Sequence, residues 1–528
     1  MNRRQFFGLR TVQSVPGITG LEPYTGPWTR TEAAHLVRRL QFGAMKREVD
    51  GAFNDGSASA AVNRLVDAAA LDPIPEPPDW YTNDGSTGID EVYDVQRTWL
   101  DAMRTKGLIE KMTLFWHNHF VTQWAAVESK SGNSIGHLCY DYYSLLREHA
   151  LGNFQTFVRE IGLNPAMLVY LDGYVNVKGQ ANENYARELL ELFTMGQYDQ
   201  AGALNYTEND IKEIARALTG WSVNGSNKAT FSLGNHDRGT KTFLGRSGAF
   251  GYDDVVDLVF ETRAPQIAWY IAKKLYTFFV QAVPDAGVVQ ALADLLQANN
   301  WALAPTLKTL FASAHFFDAS FVGGRIKSPV ELVVGFLREA EVIPTADLLE
   351  SLREVLTPAT LGQELLNPPN VAGWPGLNPP DTSNTPGHYT WLTTTTLPER
   401  WNVLSDLIYG NLGASYDPLE LATKISDPSD PFSIALDLAE TMLPVPLAYA
   451  GIREVTEPFG GNPDLPPPSE ILNGPAWQVN LSKILLDGTP HYEWPVVGEG
   501  SADPTDDARS LVREYLVYLI QLPAYQLT

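Results

Sequence analysis

The stretch Asn182 to Met195, NENYARELLELFTM, sets acids, amides and an arginine at helical spacing. On a helical wheel Tyr185, Ala186, Leu189, Leu192 and Phe193 share one side. Glu183, Asn184, Arg187, Glu188 and Glu191 take the other. Two readings fit that polar face. As a solvated surface it is laced by Glu183–Arg187 and Arg187–Glu191 pairs four residues apart. As the wall of a cleft it offers Glu188 and Glu191 as general bases or metal ligands, with Arg187 keeping them ionised.

Three further groups have the right residue types for chemistry. Trp116-His117-Asn118-His119-Phe120 carries two imidazoles two residues apart. On a helix these diverge by about 200°, so His117 and His119 can share a divalent metal only in extended or helix-end backbone. Glu188, Glu191, or Glu32 with His35 would supply the remaining ligands. The alternative is that one of the two histidines is a core or cap residue. His236-Asp237-Arg238-Gly239-Thr240-Lys241 places an acid/base pair beside a lysine, or else forms a solvated turn. On a strand His236 and Asp237 would face opposite ways, so cooperation needs a turn. Thr207-Glu208-Asn209-Asp210 has the form of a capping box, which makes Glu208 and Asp210 structural.

Helices must position these groups. The 3.6 periodicity predicts helices at Thr29–Phe42, Ser57–Leu71, Asp90–Thr105, Leu108–Phe120, His137–Leu151, Phe154–Ile161 and Asn182–Met195. It resumes at Tyr252–Phe260 and Pro265–Val280 and continues to a last helix at Asp506–Ile520. Strand character is confined to 223–252, where turn residues at Asn224-Gly225 and Gly234-Asn235 suggest a small β-hairpin insert. The expected fold is therefore mainly α: a large multi-helix globular architecture. The segment after Leu361, PPNVAGWPGLNPPDTSNTPGHYTW, is long and rich in Pro and Gly, yet its Trp374 and Trp391 favour ordered packing.

The chain has 528 residues, 44% hydrophobic and 19% charged, with a net charge of -24. That composition is globular, and the charge disfavours a nucleic-acid partner. The single cysteine, Cys139, excludes an intramolecular disulfide and reads as a buried hydrophobe. No apolar run reaches the roughly 18 residues of a membrane span. Residues 1–28 form an N-terminal segment whose start, MNRRQFFGLR, has the twin arginines of an export signal without its apolar stretch. Cytoplasmic residence and export to the periplasm both stay open. Residues 29–528 read as one large helical domain, with candidate sub-boundaries near 74–88 and 457–470.

In register, the motifs WHNHF, NENYARELLELFTMG, YTENDIKEIARALTGW, HDRGTKTFLG, KSPVELVVGFLR and PPNVAGWPG resemble the bacterial family known as domain of unknown function 1800. The likeness runs from EAAHLVRRLQFGA to the final LPAYQL. It implies a helical fold, an export signal in many members, and a frequent gene neighbour resembling sulfatases and alkaline phosphatases. It brings no established reaction. The family motifs fall on His117, His119, Asn182, Glu183, Asn184, Arg187, Glu188, Glu191, His236, Asp237 and Lys241. Two departures stand out: the export signal lacks its apolar stretch, and the segment between Pro375 and Trp391 is longer than usual. Two functions are open at this point. One is a hydrolase or redox enzyme with a polar cleft, with or without a divalent metal. The other is a non-catalytic scaffold acting with the sulfatase-like neighbour.

Overall fold

Capping and turn chemistry set most element boundaries in the computed structural model. It describes residues 20–82, 87–131, 134–380, 386–413, 416–494 and 504–528. The twin arginines at 3 and 4 lie outside the described residues. Thr29 caps helix α1 (Arg30–Leu40) in a reciprocal box with Glu32. Gly107, at φ +57, separates the helix Ile89–Lys106 from α2 (Leu108–His119). Helices not foreseen from periodicity occur at Lys46–Asn54 and Trp124–Ser131.

The acidic helix is shorter than its sequence pattern. It spans Asn184–Glu191 (α3), and Asn182 accepts the Asn184 N–H at 2.9 Å just before it. Beyond Glu191 the turn widens. Phe193 N–H reaches Glu188 O at 2.9 Å, and Gly196 N–H reaches Leu190 O at 3.1 Å with φ +74. Thr207 and Asp210 form the expected box at the head of α4 (Glu208–Ala217).

The β insert differs from the expected single hairpin. Strands β1 (Trp221–Val223) and β2 (Ala229–Phe231) pair antiparallel, and so do β3 (Lys241–Phe243) and β4 (Arg246–Gly248). Asn224 closes the first turn by accepting from Ser226 N–H at 2.9 Å and Lys228 N–H at 3.0 Å. Leu244 and Gly245, both at positive φ, close the second. The Gly234-Asn235 turn instead links the two hairpins.

Helix α5 (Tyr252–Phe279) merges the two helices expected on either side of Pro265. Its backbone leaves helical geometry at Arg263 (φ −131, ψ 22), where the proline removes a donor and crowds the preceding turn. A buried apolar cluster extends from Ala33 to Leu527 and covers α2 and α6 (Pro329–Glu339) entirely. Within it the two carboxylates of α6 gather cations. Glu331 meets Lys111 at 3.0 Å and Arg325 at 3.7 Å, while Glu339 lies 3.8 Å from both Arg38 and Lys327.

Candidate functional site

Helix α3 buries Tyr185, Ala186, Leu189 and Leu190, which leaves Glu188 and Glu191 half-buried on a shared face three residues apart. Glu191 accepts the Tyr206 hydroxyl at 2.9 Å. Glu188 differs: among the described residues no donor bonds its carboxyl. Burial pushes its pKa up to about 7, Glu191 adds to the rise, and Arg187 opposes it. Tyr170 and Tyr270 flank the pair. Burial and the neighbouring Glu188 push the Tyr170 phenol up to about 12, and Tyr270 is raised by burial and by both carboxylates. Arg187 turns outward. Its two terminal nitrogens fork onto Glu208 at 2.9 and 2.8 Å, with Glu183 at 3.5 Å. The α3 face is thus neither plain surface nor closed core. It is a half-buried pair of carboxylates in the company of Tyr170, Tyr206 and Tyr270, with one carboxyl unbonded.

His119 meets the end of the α3 turn at Phe193 and lies 6.4 Å from the Tyr270 ring. Its Nε2–H donates to Phe193 O at 3.0 Å, which fixes the tautomer and leaves Nδ1 to accept from Lys274 Nζ at 2.9 Å. Lys274 lies on α5, one turn after Tyr270, and its amine sits 5.6 Å from that ring. Burial alone lowers Lys274 to about 7. Burial first and Lys274 second keep His119 neutral far below the usual imidazole range.

His117 points elsewhere, as the helical wheel requires. Its Nε2 accepts Leu366 N–H at 3.0 Å, so Nδ1–H donates to the Tyr142 hydroxyl at 2.9 Å. That hydroxyl donates onward to Phe120 O at 2.6 Å. Burial pushes His117 down to about 3. Neither imidazole comes within hydrogen-bond reach of Glu188 or Arg187. Both ring lone pairs are already used, so His117 and His119 offer none to a metal. Among the described residues no three His, Cys, Asp or Glu side chains are grouped to hold one.

The HDRGTK segment forms a second cluster. His236 Nδ1–H donates to Thr219 O at 2.9 Å. Asp237 accepts Arg216 Nε–H at 2.9 Å and Gly239 N–H at 2.8 Å. Lys241 is fully buried and donates to the carbonyls of Asp237 and, at 2.9 Å, Phe250. These contacts hold a loop closed around α4. The structure therefore sets Glu188 and Glu191 on one face of α3, turns Arg187 outward onto Glu208, and ties His119 to Phe193 O and Lys274. His236, Asp237 and Lys241 are engaged with Thr219, Arg216 of α4 and the carbonyls of their own loop, and His117 lies in the core against the Pro/Gly-rich loop.

A family model covers residues 35–526 of this chain, nearly its whole length. The chain belongs to the DUF1800 family, described as a protein of unknown function. No curated protein and no solved structure matches it. The DUF1800 motifs thus divide by role in this member. WHNHF and HDRGTK tie distant loops together, whereas NENYARELLELF carries the half-buried Glu188–Glu191 pair. Sequence reading missed Tyr170, Tyr206, Tyr270 and Lys274. The one available signal was Lys274 itself, a cation in WYIAKKLY whose i−4 neighbour is a tyrosine.

Proposed function

We propose that this DUF1800 member is an enzyme of hydrolytic type, in which Glu188 transfers protons from the half-buried face of α3. The observation that carries this reading is a carboxyl that is half-buried, unbonded and raised to about 7 beside a second carboxylate. A general acid or base works best when its pKa lies near the working pH. Glu188 is then divided between its two forms, able to protonate a leaving oxygen or take a proton from water. Glu191, which accepts from Tyr206, adds to the penalty on charge at Glu188.

The experiment is a panel of chromogenic carboxyl-ester, phosphate-ester and glycoside substrates, run on the wild type and Glu188→Gln. Turnover of one class, reduced about 10²-fold or more in the variant, supports the reading. Equal turnover by both proteins, or none by either, removes it.

A second reading is favoured by a separate feature. A groove of about 370 Å³ is lined by Arg453, Glu457, Phe459 and Lys483 beside the Pro-rich 457–468 segment. Its mixture of charge and an aromatic ring suits a protein partner, and the sulfatase-like gene neighbour would be that partner. Mixing the two purified proteins tests it: no complex at micromolar concentration would rule the partnership out.

A further inference from the structure

The chain contains two Asn-Gly pairs, Asn224-Gly225 and Asn473-Gly474. In such a pair the glycine nitrogen is placed to attack the asparagine side-chain carbon, because no Cβ shields it. The fold treats the two pairs in opposite ways. At Asn473 the nucleophile is tied. Gly474 N–H donates to Ile471 O at 3.1 Å, and Asn473 Nδ2 donates to Ser469 O at 2.8 Å. Gly474 is also crowded, since a Cβ there would meet Gln478 Oε1 at 2.9 Å and Glu470 O at 3.1 Å.

At Asn224 the arrangement is reversed. Both residues of the pair are exposed in the turn between β1 and β2. Among the described residues neither Gly225 N–H nor Asn224 Nδ2 has an acceptor. Asn224 Oδ1, by contrast, accepts from two backbone donors, Ser226 N–H at 2.9 Å and Lys228 N–H at 3.0 Å. Two N–H groups on one carbonyl oxygen draw charge from its carbon, and they stabilise the negative oxygen that nucleophilic attack creates. A Cβ built on Gly225 meets nothing within 4 Å, and the residue lies outside the left-handed region, so the turn is open around the attacking nitrogen.

We propose that Asn224 is a self-modification site, which closes onto Gly225 as a succinimide and reopens to aspartate and isoaspartate. The Gly225 nitrogen loses its proton to solvent and bonds to Asn224 Cγ. The tetrahedral centre collapses by breaking Cγ–Nδ2, and Nδ2 leaves as ammonia with a proton from water. Water then adds to one of the two ring carbonyls and breaks its bond to the ring nitrogen. One water enters and one ammonia leaves, so no oxidant or reductant is required. Opening at Cγ gives aspartate. Opening at the main-chain carbonyl gives isoaspartate, whose backbone is one carbon longer. That carbon enters at the residue whose N–H closes the hairpin onto Lys228 O at 2.9 Å.

The test is peptide mapping of the full chain after incubation at pH 8 in ¹⁸O-labelled water, where each deamidated residue acquires the label. The Asn224 peptide should take it up about tenfold or more faster than the Asn473 peptide, the rate equivalent of breaking one hydrogen bond. It should also resolve into aspartate and isoaspartate forms. In urea, where both pairs lose their surroundings, the two rates should converge. Gly225→Ala should slow labelling at Asn224 and leave the melting temperature unchanged, because its Cβ meets no neighbour. Equal labelling of the two pairs in the folded protein, or faster labelling at Asn473, overturns the proposal. So does an Asn224 amide that persists in the folded chain while the urea sample deamidates, or labelling that Gly225→Ala does not slow.

Discussion

Trp374 donates its backbone N–H to Asn118 Oδ1 at 2.7 Å, so the middle residue of WHNHF holds a loop 256 residues further on. The same amide donates from Nδ2 to Asn378 Oδ1 at 3.0 Å. Gly373 sits against it at φ +81, where a Cβ would fall 2.3 Å from Asn118 Oδ1. Asn118→Ala leaves the buried Trp374 N–H unpaired and should cost about 1–3 kcal/mol. Gly373→Ala adds strain at positive φ to a clash and should cost about 1–3 kcal/mol or more. Urea unfolding at unchanged m-value checks both. Wild-type midpoints would show that the clamp is ornamental.

Glu188 gives a pH signature that needs no substrate. Its folded pKa, about 7, lies above the unfolded value, so the ionised form is disfavoured in the fold. The fold loses stability as pH rises from about 4.5 through 7. Glu188→Gln should therefore melt higher than wild type at pH 8 and match it at pH 4. A Glu188 carboxyl carbon resonance that titrates near 4.5 would contradict the geometry.

Glu331 shifts the opposite way. Burial would raise its carboxyl, but Lys111 and Arg325 outweigh burial and hold it at about 2. That stabilisation is complete above the unfolded value and is lost as pH falls from about 4.5 to 2. Glu331→Gln leaves Lys111 and Arg325 buried without their anion, so about 3–5 kcal/mol should be lost at pH 7. Removal of Lys111 together with Glu331, as Lys111→Met/Glu331→Leu, should restore part of it. Additive losses in that double variant would refute the pairing.

The core histidines set a separate acid limit. His117 and His388 are both pushed down to about 3, chiefly by burial, and each accepts a backbone N–H, from Leu366 and Ile326 respectively. Unfolding lets them take up protons at about 6.5. Their neutral forms thus support the fold above that pH, and the support drains away between there and 3. The urea midpoint should fall steadily from pH 6.5 to 4, while their imidazole C–H signals stay fixed in the folded protein down to pH 5. Signals moving near pH 6.5 would show that the rings are open to solvent.

The twelve residues Asn182–Phe193 and the cap at Thr207 show how far a linear pattern reaches. Amphipathic spacing and capping chemistry act over four residues, so the mainly helical fold, the box at α4 and the divergence of His117 from His119 were all legible. The hairpin count was not, because Leu244 takes a positive φ that its residue type does not announce. Nor was the sorting of the polar motifs. Whether His119 meets a metal, a carboxylate or an amine depends on α5 crossing α2, a contact 155 residues apart. Burial and charge pairing are properties of neighbours in space, and those decided that Glu188 stands free while Asp237 and Lys241 are spent on holding a loop.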